Sequence, residues 1–314
     1  MFFIRYPSIV YTIMKKIFLA AALLFVVATE TLQAQQIFQL SQYMLNDFAY
    51  NPAVAGSRDN FITKAGFRKQ WTGIEGAPTT VYAGIHGNLS QKKSAGIGAL
   101  LFSDVTGPTR RLGVQLAYAY HLPLNLEGTT TLGFGISGIL GQAAINFSDL
   151  VIDDEGDPQL GNGSQSKFGG DANFGVYLRS TNYSVGLAAN QLFASKFNFL
   201  GNDEANIQNA RHFYLMGNYR FDLNEKFGLE PGLLLKIVQG ANPQAEINAR
   251  AIYDRQYWAG LSYRTEDALA IMLGIQLNNG FNVAYSYDLT TSGLNAVSNG
   301  AHEITLGYDF SIFK

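Results

Sequence analysis

The chain has 314 residues, of which 47% are hydrophobic, 13% aromatic and only 15% charged, and it has no cysteine. Its charged content lies well below the roughly 25% of an ordinary soluble domain. This composition excludes a disordered chain, a disulfide-rich scaffold and metal sites built on thiolates. A net charge of −2 gives no indication of nucleic-acid binding, which is typical of basic domains.

The first 34 residues are predicted to be a signal peptide. Lys15 and Lys16 precede the apolar run 17–28, and Ala34 is a suitable cleavage residue before Gln35. The run is shorter than the about 20 residues of a membrane-spanning helix and fits the core of a signal peptide. Because Met14 begins a complete signal by itself, we predict the true start there. An uncleaved anchor is the alternative.

Residues 35–60 form a separate segment between the signal and the first regular pattern. This segment is polar and aromatic, does not alternate, and has an Asn-Pro turn signal at Asn51 and Pro52. It therefore predicts irregular structure rather than a strand.

Residues 61–314 alternate with a period of two, which is the pattern of strands with one apolar and one polar face. In the last segment Leu306 falls on the apolar face and Thr305 on the polar face. Arginine should therefore be tolerated better at 305 than at 306. The pattern predicts about fourteen strands, at 61–71, 79–89, 94–104, 110–122, 129–142, 168–180, 182–192, 211–222, 226–239, 244–254, 256–264, 268–277, 280–290 and 301–313.

The connections between these strands sort by parity. The longest ones, 143–167, 193–210 and 291–300, all follow odd-numbered strands, whereas those after even-numbered strands are short. Outer-membrane barrels have short periplasmic turns and longer outer loops. We therefore predict an all-β, antiparallel transmembrane β-barrel of about 14 strands over 61–314, closed because lipid leaves no backbone partner for an open edge. Both mature termini would be periplasmic. A secreted β-sandwich or a soluble barrel is the alternative.

The barrel prediction constrains the segment 35–60, whose backbone groups cannot lie unpaired against lipid. The segment must either plug the lumen or dock in the periplasm against a partner. Charged residues on the inner face would line a water channel or pair with one another and with a plug, and the sequence leaves both cases open. These residues are Glu230, Lys236, Glu246, Arg250, Arg264, Asp288, Glu303 and Asp309.

The sequence contains only weak matches to motifs for cofactor binding, metal binding or catalysis. The stretch 133–138 matches the G-x-G-x-x-G dinucleotide pattern, but it lies inside one alternating segment, so we interpret it as small residues of the barrel wall. The acidic residues 153–157 depart from EF-hand spacing, so we interpret them as a solvated outer loop, with calcium binding as the alternative. No catalytic motif is present, and we predict no enzyme activity, no cofactor and no resident metal.

Three blocks of the sequence carry an ordered set of residues. They are Ser41-Gln42-Tyr43-Met44, Asn51-Pro52-Ala53, Ala55-Gly56-Ser57, Arg68, Gln70-Trp71, Gly73, Gly76-Ala77-Pro78, Thr80, Asp104 and Gly107-Pro108-Thr109-Arg110. These blocks, which cover about residues 36–124, resemble the PorP/SprF family of Bacteroidetes outer-membrane proteins. The remainder matches only in its barrel pattern.

The resemblance implies a role in the type IX secretion system. Such a protein would work with secretion components and with an exported surface protein that has a C-terminal sorting domain, such as a gliding adhesin. A solute channel in the outer membrane is the competing function. Candidate partner or plug contacts are Tyr43, Asn51, Pro52, Trp71, Gly107, Pro108 and Arg110.

Overall fold

The computed structural model describes residues 37–89, 94–149, 163–199 and 206–312. The predicted signal peptide and the acidic run 153–157 lie outside these residues. Helical structure in the described residues is limited to short turns. They are the 3-10 turns Tyr43–Leu45, Pro52–Val54, Phe147–Asp149 and Gly293–Ala296 and the α-helix Asp47–Tyr50.

The strands follow one another along the chain. They are β1 Phe61–Lys69, β2 Thr79–Asn88, β3 Ala95–Thr106, β4 Thr109–Pro123, β5 Thr131–Asn146, β6 Ser164–Arg179, β7 Tyr183–Asn190, β8 Lys196–Asn198, β9 Asn206–Gln208, β10 His212–Tyr219, β11 Phe221–Asp222, β12 Phe227–Val238, β13 Gln244–Tyr253, β14 Tyr257–Arg264, β15 Ala268–Gln276, β16 Phe281–Thr290 and β17 Ala301–Phe310.

The long strands form a closed antiparallel barrel of 14 strands. Chain neighbours pair along the wall, β10 pairs with β12 across the short β11, and β1 pairs with β17 to close the sheet. In the closing pair Ala65 lies opposite Leu306. The prediction of a closed β-barrel is confirmed, and each predicted strand has its observed counterpart. Closure gives every wall strand two hydrogen-bonded neighbours, as a strand in lipid requires.

Two short additions were not predicted. β8 and β9 pair with each other as a small separate sheet within the connection that follows β7. Phe197 of β8 is buried against Ala143 of β5, which explains why a segment without alternation is extended. The two-residue strand β11 continues the wall beside β12.

The two faces of each strand differ as the alternation predicts. On β17, Thr305 is 1% exposed and Leu306 is 52% exposed, so the predicted register is correct. Leucine, isoleucine, valine and aromatic side chains dominate the outer face, as in the apolar band that contacts lipid in membrane barrels. No helix in the described residues is long and apolar enough to cross a membrane.

The connections gather at the two ends of the barrel. We call one end the loop end, because it holds the connections β1–β2, β5–β6, β7–β10 and β16–β17, among which are the longest. The other, with β2–β3, β4–β5, β6–β7, β13–β14 and β15–β16, is the turn end. Two loop-end connections, 107–108 and 265–267, are as short as those at the turn end.

Candidate functional site

The lumen is occupied by residues 37–60, which we call the inner segment. Near its start Phe38 lies beside Tyr82 and Phe102 in the loop half of the barrel, with ring centroids 6.3 and 5.3 Å away. Near its end the Gly56 carbonyl accepts a hydrogen bond from Asn88 Nδ2 at the turn end (2.6 Å). The segment therefore runs along the lumen from the loop end to the turn end, where β1 begins. Its residues Ser41, Gln42 and others are fully buried.

A group of buried charged side chains holds the inner segment; they lie at the loop ends of five strands and in one turn. We call it the ion-pair clamp; it consists of Arg68, Glu246, Arg264, Asp267, Asp288 and Glu303. Arg68 pairs with Asp288 (2.8 Å) and Glu303 (3.2 Å). Arg264 pairs with Glu246 and Asp267, each at 2.8 Å, and lies 3.5 Å from Asp288. Strands at the start and the end of the chain, which are neighbours in the closed wall, are thus joined by ion pairs.

Ser41 of the inner segment lies at the centre of the clamp. Its hydroxyl donates to Asp288 Oδ2 (2.5 Å) and accepts from Arg68 Nη1 (2.8 Å) and Arg264 Nη2 (3.1 Å). Its backbone N–H donates to Glu303 Oε2 (2.7 Å), and the N–H of Gln42 donates to Oε1 of the same carboxylate (3.3 Å). One serine therefore connects both arginines to the inner segment.

The clamp decides between the two arrangements that the sequence left open for the inward charges. Arg68, Arg264, Asp288 and Glu303 are each at most 2% exposed, so at this level they pair instead of lining a water channel. A charge buried without a partner costs far more free energy than a paired one. Removing either arginine would take away an ion-pair partner from at least two buried carboxylates.

The middle of the inner segment packs through tyrosines. The Tyr43 hydroxyl accepts from Asn248 Nδ2 on β13 (2.5 Å), and the Tyr50 hydroxyl accepts from the backbone N–H of Leu40 (2.9 Å). The two rings meet edge to face, with centroids 6.5 Å apart. The middle of the inner segment is therefore bonded both to the wall and to its own start.

The Asn-Pro turn anchors the inner segment to β6 and β7. Asn51 Oδ1 accepts from the N–H of Ala53 (2.9 Å), and its Nδ2 donates to the carbonyls of Val176 (3.1 Å) and Leu187 (3.2 Å). Pro52 is buried at the start of the following turn. The Asn51 side chain therefore forms hydrogen bonds with backbone groups of both its own turn and the wall.

Glycines of the wall allow this close approach. A Cβ at Gly135 would overlap the backbone of Ala53, and one at Gly175 would overlap the side chain of Asn51. Gly135 belongs to the G-x-G-x-x-G match at 133–138. Those residues lie within β5, with no helix after them, which agrees with their interpretation as small wall residues.

The remaining candidate residues lie at the loop-end rim. Trp71 lies in the β1–β2 connection, which is tied to the β16–β17 connection by the N–H of Thr72 donating to the carbonyl of Gly300 (2.8 Å). The N–H of Gly107 donates to the carbonyl of Gly76 (2.7 Å), and Pro108 O accepts from the N–H of Asn146 (2.9 Å). We call these joined connections the rim.

The candidate residues therefore form two groups. Tyr43, Asn51 and Pro52 lie in the lumen, whereas Trp71, Gly107, Pro108 and Arg110 lie at or beside the rim; Arg110 is exposed. The sequence reasoning did not identify Ser41 and Arg68 as site residues, although both belong to the shared motif blocks. The available signal was their position in the blocks that resemble the family, which did not show that the two side chains meet.

The part of the chain that the structure describes contains no arrangement suited to a metal ion. In the described ranges no group of three or more histidine or carboxylate side chains is arranged to hold a metal ion. The carboxylates of the clamp are already engaged by two guanidinium groups.

Comparison with protein families gives a match over residues 32–308 to "Type IX secretion system membrane protein PorP/SprF". The chain belongs to the PorP/SprF family. The match extends over the whole barrel wall, far beyond the blocks from which the resemblance was first inferred. Together with the fold, it places the protein in the outer membrane as a barrel of the type IX secretion system. A comparison with curated proteins gave no significant match.

Solved structures share the fold of this PorP/SprF barrel. The Ralstonia pickettii toluene transporter TbuX superposes with a TM-score of 0.52 at 10% identity, over 83% of this chain and 92% of the transporter. The CymD monoaromatic hydrocarbon channel gives a TM-score of 0.53 at 10% identity, over 90% and 95% of the two chains. At this identity the likeness concerns the architecture alone.

Proposed function

We propose that this protein is a non-enzymatic accessory of type IX secretion that helps to export a large surface protein, such as a gliding adhesin, or anchors it at the cell surface. Membership of the PorP/SprF family combined with an occupied lumen carries the proposal. The inner segment fills the barrel from the loop end to the turn end, and the clamp holds it there. Because the inner segment occupies the lumen, a partner would contact the loops and the rim instead of passing through a wide pore.

The rim is the surface we assign to the exported partner. It joins three connections through backbone hydrogen bonds, so its shape is fixed before a partner arrives, which lowers the entropic cost of binding. Arg110 is exposed beside it, and arginine is enriched at interface hot spots. The partner would be an exported protein with a C-terminal sorting domain, together with components of the secretion apparatus.

We infer that the loop end faces the exterior, as longer loops do in outer-membrane barrels. β17 ends at the turn end, which supports a periplasmic C-terminus. Residue 37 lies in the loop half of the lumen. The periplasmic position predicted for the mature N-terminus concerns residues that precede those the structure describes, and it stays a prediction.

Deleting the gene tests the proposed role. We expect one large protein to disappear from the cell surface, measured by mass spectrometry of surface-labelled proteins, while uptake of small solutes is unchanged. Complementation with the Arg110→Ala variant should restore less of that protein than the wild type does. The matched control Arg255→Ala, an exposed arginine at the turn end, should restore it fully. An unchanged surface proteome in the deletion strain would contradict the proposal.

Cysteine labelling tests the orientation, and the native chain has no cysteine to interfere. In whole cells, Asn295→Cys in the β16–β17 connection should react with a membrane-impermeant thiol reagent. Asn279→Cys at the turn end should react only after the outer membrane is permeabilised. Both positions are exposed, so access to the reagent is decided by the side of the membrane. The reverse pattern would invert the orientation.

A solute channel is the second candidate function, favoured by the space that remains beside the inner segment. Purified barrel reconstituted in planar bilayers distinguishes the two functions. The accessory role predicts no stable solute-selective conductance. Robust conductance together with an unchanged surface proteome would favour the channel.

A further inference from the structure

The inner segment leaves one part of the lumen unfilled. A cavity of about 800 Å³, part of it open to solvent, lies in the loop half between Phe38 and the wall formed by β3–β7. Its apolar lining includes Leu100, Phe102 and Phe197.

Buried side-chain amides border this cavity. Gln115 and Asn190 are each 3% exposed and Gln191 is 9% exposed. Asn173 Nδ2 donates to Gln115 Oε1 (3.4 Å), Asn173 Oδ1 accepts from the N–H of Gln191 (2.9 Å), and Asn190 Nδ2 donates to the carbonyl of Tyr50 (3.0 Å). These hydrogen bonds fix the side chains, but some of the amide donor and acceptor atoms remain without a partner.

Three polar atoms of this group have no hydrogen-bond partner among the described residues. They are the Gln115 Nε2 donor and the acceptors Asn190 Oδ1 and Gln191 Oε1. Buried polar groups in folded proteins are almost always paired. A wall that offers both a free N–H donor and free C=O acceptors beside an apolar cavity is therefore suited to a ligand with the complementary pair.

The charges around the cavity exclude an anionic ligand. Asp104 accepts from Thr80 Oγ1 (2.5 Å) and lies opposite Arg111 in the β3–β4 register. Asp171 accepts from the N–H groups of Phe193 (2.9 Å) and Ser195 (3.2 Å). Two carboxylates and one guanidinium line the cavity, so a fatty acid or a phosphate would meet a net negative wall. An anionic ligand is therefore not expected.

We propose that this cavity binds an uncharged, extended peptide segment with an apolar or aromatic side chain, presented by the exported partner. Each peptide unit has one N–H donor and one C=O acceptor, which match the acceptors of Asn190 and Gln191 and the donor of Gln115. The side chain would pack against Phe38 and Phe102. A hydrocarbon could fill the same space but would leave the amides unpaired. The inference rests on the proposed function, since the partner supplies the peptide.

The test uses the purified full-length barrel in detergent and the capped peptide acetyl-Ala-(4-fluorophenylalanyl)-Ala-amide, observed by fluorine NMR. We expect saturable binding to the wild type. Gln115→Leu keeps the side-chain size but removes the free donor, and it should weaken binding about tenfold, the effect of one hydrogen bond of about 1.4 kcal/mol. The matched control Gln276→Leu, exposed at the turn end, should leave the affinity unchanged.

A second variant blocks the cavity without removing a polar group. A Cβ at Gly141, which borders the cavity, would meet only the Leu112 carbonyl oxygen, at an ordinary 3.5 Å. Gly141→Ile should therefore fold and abolish peptide binding. Heat-modifiable migration of each variant checks that the barrel is folded.

Three results would overturn the inference. They are saturable binding of 4-fluorotoluene without binding of the peptide, equal peptide affinity in the wild type and Gln115→Leu, and probe binding only after removal of Gln35 and Gln36. The last result would place the protein's own N-terminus in the cavity. If the peptide fails to bind while the deletion still removes a surface protein, the cavity inference fails and the proposed function stands. Peptide binding with an unchanged surface proteome would reject the proposed function instead.

Discussion

Two sectors of the wall bury polar groups on opposite sides of the inner segment and use them differently. On β13–β17 and β1, each charged side chain of the clamp has an ion-pair partner, and the clamp grips the inner segment at Ser41. On β4–β7, amides hold one another but leave three polar atoms free beside a cavity. β2 and β3 separate the sectors on one side, and β10 and β12 on the other.

The difference follows from what burial costs each kind of group. An unpaired buried charge is too costly to keep, so each charged group of the clamp has an ion-pair partner, although Arg68 Nε and Asp288 Oδ1 make no hydrogen bond among the described residues. An amide left unpaired costs only about 1–3 kcal/mol, which a folded barrel can tolerate. Charged groups therefore suit a permanent attachment, whereas amides suit a surface that is completed by a ligand.

The largest expected effect is on the clamp. Arg68→Met keeps much of the side-chain volume but leaves Asp288 and Glu303 without that guanidinium, and it should lower the free energy of unfolding by about 3–5 kcal/mol. Urea titration of the barrel, followed by heat-modifiable migration, measures it. The control Arg220→Met breaks a half-exposed pair with Asp222 and should cost less than about 1 kcal/mol. Equal losses in the two variants would mean that the buried clamp stabilises the barrel no more than a half-exposed ion pair does.

The outer face of the same sector gives the next effect. Leu306 faces outward on β17, and Leu306→Arg should cost about 2–4 kcal/mol at the membrane midplane, measured by the yield of folded barrel in lipid vesicles. Leu306→Phe should fold normally.

Thr305, the neighbouring inward position, corrects a prediction. The alternation suggested that arginine would be tolerated there. However, Thr305 is buried and hydrogen-bonded to the Tyr82 hydroxyl (2.9 Å), so Thr305→Arg should reduce the folded yield as strongly as Leu306→Arg. A mild effect would show that the lumen is wetter than the clamp implies.

A smaller effect is expected at Tyr43, between the inner segment and β13. Tyr43→Phe removes the hydroxyl that accepts from Asn248 and leaves a buried amide unpaired, at a cost of about 1–3 kcal/mol in unfolding. Tyr183→Phe, exposed at the start of β7, is the matched control. No difference between the two variants in urea titration would show that this contact does not anchor the inner segment.

The smallest effect on stability is expected in the amide sector. Gln115→Leu removes the Nε2 donor that has no partner and also the Oε1 acceptor of the long 3.4 Å bond from Asn173 Nδ2, so it should lower the free energy of unfolding by only about 1 kcal/mol. Peptide affinity should fall in the same variant. A large loss of stability, measured by the same urea titration, would mean that Gln115 is a structural group like those of the clamp, and the contrast between the sectors would fail.

The sequence by itself determined the barrel wall. A strand places successive side chains on opposite faces, so a local pattern of period two reports strand positions, the faces of Leu306 and Thr305, and the inward charges. Loop lengths separated the two ends of the barrel. The motif blocks pointed to the family, and within them Asn51 bonds both to its own turn and to the wall.

Only the tertiary structure decided what these inward groups do. Ser41 meets Asp288 and Glu303 across more than 240 positions of sequence, and no local pattern encodes such a contact. The same alternation describes the clamp and the amide sector, so it could not tell a filled region from a cavity. Pairing in the lumen depends on which strands face each other after closure and on how the inner segment runs between them.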